Sequence, residues 1–360
     1  MKKLLDLPIK WKVLIILLLI VYAGMWFAIG AVSNRQKAEK IKSSGSAVKS
    51  SVMPEVAGIA NPINGIFYTK KEAEVWGNRV PLAIMVENSV LARPQSGLSK
   101  ADIVYEALAE GAITRFVAVF LSQGSQVGPV RSAREYYYDW ISEYHPAYAH
   151  WGGNEYVRKL ASNIFGARDL DQFAIGSAAF YRLCFGEHCG YTSTDKLWTV
   201  ASSRGVNKKS EFPVWRFKDD SPAKQPNAVE ITIGFQDDAG YVVTWKYDVH
   251  TNSYKRFNGG KEAIDKETGQ QLSFKTVVVQ SIKSLGYKQA TPGVQNRNFE
   301  TIGSGKALVF LDGTVVETTW KKSSREDRTR FFDSSGKEIS PNRGQIWMEM
   351  IPTQSSVSFK

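Results

Sequence analysis

The sequence predicts an α+β protein: an N-terminal transmembrane helix, a mixed α/β domain, then a mainly antiparallel β domain. Three observations carry this. Residues 13–32 (VLIILLLIVYAGMWFAIGAV) hold no charged side chain. Residues from about 61 to 222 mix short apolar runs with helical stretches. From about 223 onward, runs of alternating polarity are separated by glycine- and aspartate-bearing turns. The expected segments are an anchor (1–34), a linker (35–60), the α/β domain (61–222) and the β-rich domain (223–360).

Twenty apolar residues span a hydrocarbon layer of about 30 Å. Lys2, Lys3, Lys10 and Lys12 precede the run. The rival reading is a cleaved signal peptide, with Ala28-Ile29-Gly30 as a poor cleavage site, but the apolar stretch is long for that role. No cysteine lies near the run, which excludes an N-terminal lipid anchor. Arg35, Lys37, Lys40, Lys42 and Lys49 follow it, so charge asymmetry decides little about orientation. The reading places the short N-terminus inside, the bulk of the chain outside the cytoplasm, and a flexible basic linker between them.

In the first region, Val80 to Val86 fits a buried strand. Pro94 to Ser99 reads as a loop. Asp102 to Ala109 and Ile113 to Leu121 read as a hairpin with Gly111 in the turn, or else Lys100 to Glu110 forms a helix capped by Ser99. Either form puts Asp102, Glu106 and Glu110 on one face, because a spacing of four suits both periods. Glu135 to Tyr144 reads as a helix stopped near Pro146. Ala147 to Trp151 reads as a strand, and Gly152-Gly153-Asn154 turns into a helix over Glu155 to Ser162. That order offers backbone N–H groups to an anion, although two glycines suit any tight turn.

The second region predicts strands over Val229–Phe235, Tyr241–Tyr247, Thr276–Gln280, Lys306–Leu311, Val315–Trp320 and Gln345–Ile351. Cys184 and Cys189, a lone close pair in an extracytoplasmic chain, predict a small-loop disulfide. Two thiolates with His188 make a poor metal site, so no metal and no cofactor are expected.

Longer runs resemble a known family. NPINGIF at Asn61, PLAIMVENSVLARPQSGLSKADIVYEALAEGAITRFVAVF from Pro81 and GPVRSAR from Gly128 resemble the first domain of the YerB-like lipoprotein family. YKRFNGG at Tyr254, GSGKALVFLDG at Gly303, Trp320 and GQIWMEMIP from Gly344 resemble its carboxyl-terminal domain. The resemblance implies an extracytoplasmic, membrane-attached protein, typically held by a lipidated cysteine. It carries no assigned activity and transfers no catalytic residue. This chain departs from it in having an apolar helix in place of the lipid.

Charged residues concentrate between Glu87 and Arg134, inside segments rich in Val, Ile, Phe and Ala. Desolvating such groups is costly unless they are paired or used. The candidate ligand-binding set is Glu87, Asn88, Arg93, Glu106, Arg115, Arg131, Ser132, Arg134 and His150. Arginines there suit carboxylate or phosphate, and Glu87-Asn88 and His150 follow expected strands, where ligands gather in α/β sheets. With a net charge of +11, the expected partner is an acidic cell-envelope polymer or an envelope-assembly protein. Nucleic acid is disfavoured, since the folded part shows no basic stripe with interleaved aromatics. Two other readings remain: a glycan-cleaving or glycan-modifying enzyme using Glu87 or Glu106 in a carboxylate pair drawn from Glu87, Asp102, Glu106 and Glu110, and a non-catalytic scaffold. No nucleophile elbow, zinc-protease or phosphate-loop motif is present, and catalysis is the less favoured outcome.

Overall fold

A computed structural model describes residues 58–236, 238–291 and 294–360. The expected anchor at Val13–Val32 and its linker lie outside the described residues. Among the described residues, no helix is long and apolar enough to cross a membrane.

An 11-stranded mixed sheet forms the centre of the fold. Its principal path runs Arg330–Phe332, Thr314–Lys322, Gly303–Leu311, Thr276–Thr291, Ile346–Pro352, Ile103–Leu108, Thr114–Phe120, Leu82–Glu87, Ala147–His150, Asp169–Asp171. Strands from early and late in the chain thus share one sheet. The seam between them is parallel: Ile346–Pro352 pairs with Thr276–Thr291 on one side and Ile103–Leu108 on the other. The β-rich part is mainly antiparallel, as the sequence predicted, and this parallel seam is the departure from it. The physical reason is burial: the residues of Ile346–Pro352, Ile103–Leu108 and Leu82–Glu87 are all buried, as befits strands covered on both faces.

A second, six-stranded sheet lies against the face that carries Trp347. Trp347 packs on Phe116 of its own sheet at 5.2 Å, and on Trp245 (5.4 Å) and Phe274 (5.0 Å) of the second. The opposite face carries Tyr105, which stacks on Trp140 of the Glu135–Ile141 helix. The result is a layered core of helix, sheet and sheet.

The expected hairpin is present, as Ile103–Leu108 and Thr114–Phe120. Gly111 adopts φ +52° in its turn, and Ala109 N donates to Ile113 O at 2.8 Å. The helical alternative over 100–110 is excluded. Leu98–Lys100 forms only a short 3-10 turn, and the following residues pair on both sides. Glu110 falls beyond the strand, where it pairs with Arg115 and Arg134, whereas Glu106 within the strand pairs with Arg256. The Glu155–Phe165 helix is three residues longer than expected. Its start is set by Asn154, whose side chain accepts from Val157 N at 3.0 Å. Gly152 sits at φ +68°, and a Cβ there would lie 2.3 Å from the Phe173 ring.

The largest departure is Thr276–Thr291, 16 residues long where the sequence suggested a strand ending at Gln280. Its distal half has no apolar alternation. It is held instead by antiparallel pairing with Val294–Glu300 and by contacts onto the first region. Lys288 Nζ donates to Tyr156 Oη at 2.8 Å and to Glu135 at 3.2 Å, and Arg297 Nε donates to Ala109 O at 3.1 Å.

Candidate functional site

The predicted charged residues separate into a sealed network and an open cleft. Glu87 ends its strand almost wholly buried. Its Oε1 accepts from Asn88 N (3.1 Å) and Ser89 N (3.0 Å), and its Oε2 pairs with Arg131 Nε. Burial pushes the Glu87 carboxyl up, but Arg115 and Arg131 outweigh that and hold it below the usual carboxylate range. Asn88 donates to Thr114 Oγ1 at 2.7 Å and accepts from Arg93 Nε (3.0 Å) and Gln95 Nε2 (2.9 Å). Arg93 reaches across to Gly240 O at 2.8 Å. Asp102 is buried and structural: it accepts from Asn64 Nδ2, Leu121 N and the Ser122 backbone and hydroxyl. Desolvation raises its pKa despite those donors.

Glu106 is buried without exposure and faces two residues that the sequence did not flag. Arg256 Nη2 pairs with Glu106, and Arg256 Nη1 pairs with Glu349 Oε1 at 2.7 Å. Glu349 is the register partner of Glu106 across the parallel seam. Trp245 Nε1 also donates to Glu349 Oε1, at 2.8 Å. Burial and then the nearby Glu106 push the Glu349 carboxyl up to about 8. The two buried carboxyl groups, with one arginine between them, favour the state in which the pair carries a proton.

His150 is sealed too. Its Nδ1 lies 2.8 Å from Gly152 O and its Nε2 3.0 Å from Asp169 Oδ1, with the ring stacked on Tyr148. Arg115 is buried under the cleft, donating to Ser132 O and Glu110 Oε2, both at 2.9 Å. Desolvation lowers its pKa.

Arg131, Ser132 and Arg134, by contrast, line an open cleft of about 680 Å³. Glu110, Trp151, Gly153, Asn154, Phe173, Tyr287 and Arg297 complete most of its wall. Arg134 pairs with Glu110. Arg131 pairs inward with Glu87 and outward with Glu187 at 3.1 Å. The Gly152-Gly153-Asn154 turn brings the start of the Glu155–Phe165 helix to the cleft wall. Tyr287 and Arg297 come from the long two-stranded arm, and sequence reasoning missed them because their strands showed no alternation. Arg256 was detectable in principle: it lies two residues from Tyr254 and two from Asn258, on the buried face of its strand. Cys184 and Cys189 are disulfide-bonded, with Cα atoms 5.1 Å apart. Among the described residues, no cluster of His, Cys, Asp and Glu has the makings of a metal site.

The fold is that of a two-region protein, a mixed sheet with a helix on one face and a second sheet on the other, and its open cleft is lined by Arg131, Arg134 and Arg297. Residues 68–207 match the model described as "Protein of unknown function (DUF3048) N-terminal domain", and residues 231–348 match the corresponding C-terminal domain. The chain is 33% identical over 304 residues to "Putative lipoprotein YerB" of Bacillus subtilis (strain 168), covering 82% of this chain and 87% of that protein. The crystal structure of the Bacillus subtilis YerB protein superposes with a TM-score of 0.71 at 30% identity, covering 83% of this chain and 99% of the crystallised one. The chain thus belongs to the YerB-like family, both of whose domains it contains.

Proposed function

We propose that this protein is tethered to the membrane by residues 13–32, faces outward, and binds an acidic cell-envelope polymer in the cleft. The observation that carries the reading is the convergence of Arg131, Ser132, Arg134 and Arg297 on one open hollow. Guanidinium groups there present planar donors to carboxylate or phosphate. The exposed rings of Phe173 and Tyr287 offer faces to the less polar parts of a polymer. The lipoprotein name of the relative supports an outward, membrane-held body, with the apolar helix standing in for the lipid.

The glycan-cleaving alternative draws less support from the same geometry. Glu87 and Glu106 are both sealed and arginine-paired. Glu110 is the one carboxylate lining the cleft among the described residues, and it is matched by Arg115 and Arg134.

The test is sedimentation of the full chain, purified in detergent, with purified peptidoglycan. The wild-type protein should pellet with the wall material, and Arg131→Ala should pellet several-fold less. Equal pelleting of both, or of neither, removes the cleft from consideration. For the tether, protease added to protoplasts should digest the body beyond residue 57. Full protection would place that body inside the cell.

A further inference from the structure

The ring closed by the Cys184–Cys189 disulfide carries the acidic group nearest the outer edge of Arg131. Glu187 Oε2 stands 3.1 Å from Arg131 Nη2, while its side chain is 78% exposed. The next residue, His188, places Nδ1 3.9 Å from Glu87 Oε2, the other carboxylate on this guanidinium. Cys189 is buried and the ring is five residues in span, so Glu187 is held near Arg131 without a long flexible stem. Arg131 itself remains about a quarter exposed and lines the cleft.

We propose that Glu187 is a built-in competitor: its carboxylate occupies the Arg131 edge that an incoming anionic group takes when a ligand enters. This rests on the anion-binding reading of the cleft. The two carboxylates on Arg131 differ in kind. Glu87 is buried, held by two backbone N–H groups, and stays. Glu187 is solvated, so its exchange for a ligand carboxylate or phosphate costs little. The ring thereby sets a threshold. A single weak acid exchanges like for like and gains almost nothing. A polymer that also engages Arg134, Arg297 and the aromatic rings gains the remaining contacts.

The test compares four full-length proteins in the peptidoglycan sedimentation experiment at half-saturating wall material. Glu187→Gln should bind about two- to fivefold more tightly than wild type, the range set by an exposed ion pair. The Cys184→Ser/Cys189→Ser double variant keeps the charge of Glu187 but frees the ring, and should shift in the same direction. Glu155→Gln removes an equal charge at the adjacent helix start without touching Arg131, and should shift less. If Glu187→Gln binds as wild type does, or Glu155→Gln gains as much, the competitor role is overturned while the cleft reading stands. If no protein sediments, wild type included, both fall.

Discussion

Arg256 brings one positive charge into the core between two carboxyl groups, and a proton on the pair offsets the charge of the second carboxyl. All three side chains are fully sealed, so removing Arg256 or Glu106 leaves a buried charge without its partner. The Glu349 carboxyl, raised to about 8 by burial and by Glu106, makes stability depend on pH. Its pKa in the folded protein lies above its ordinary value, so folding favours the protonated form. That contribution is fully present below the usual carboxylate range and is lost as pH rises through about 8. The loss proceeds by up to about 1.4 kcal/mol per pH unit for the one proton. Glu349→Gln keeps an acceptor for Trp245 and Arg256 and a donor for Glu106 without a titrating group. Denaturant midpoints between about pH 6 and 9 should fall with pH in wild type and change less in the variant. Parallel slopes would show that another group carries the dependence.

Elements differ in how far local sequence specifies them. Leu82–Glu87 and the hairpin of Ile103–Leu108 with Thr114–Phe120 were legible because strands covered on both faces need near-continuous apolar runs, and Gly111 marks the turn. The Glu155–Phe165 helix was legible at its start, where Asn154 caps it, but less so at its end, since nothing before Gly166 breaks the pattern. The arm of Thr276–Thr291 with Val294–Glu300 was not legible beyond Gln280. Its order comes from its own pairing and from Lys288 and Arg297 reaching Glu135, Tyr156 and Ala109, all distant in sequence. The same limit explains the site. The clustering of charge from Glu87 to Arg134 was visible, but exposure was not. Alternation cannot tell Glu106, facing Arg256, from Arg134, facing the cleft. What separates them is which late strands cover each one, and that depends on pairing across the parallel seam.

At the scale of the whole molecule, that seam joins what the sequence shows as two regions. Ile346–Pro352 lies between Thr276–Thr291 and Ile103–Leu108, and Trp347 at its centre is fully buried among Phe116, Trp245 and Phe274. The Arg256 guanidinium also lies 4.2 Å over the Trp347 ring, so one side chain ties the charge triad to the aromatic core. Strands that share hydrogen bonds and a common core unfold together, because opening either region alone exposes paired edges and apolar surface of the other. Trp347→Ala removes a large ring from a site with little room to collapse, a change that costs about 3–5 kcal/mol. That cost should appear equally in both regions. Amide exchange in Leu82–Glu87, remote in sequence, should accelerate by the same factor as exchange in Val243–Asp248, whose Trp245 touches the lost ring. Acceleration confined to Val243–Asp248, with Leu82–Glu87 still protected, would mean that the sheet is continuous in geometry but not in cooperativity. The regions would then open independently, and the arm that completes the cleft would be free to leave it while the first region stayed folded.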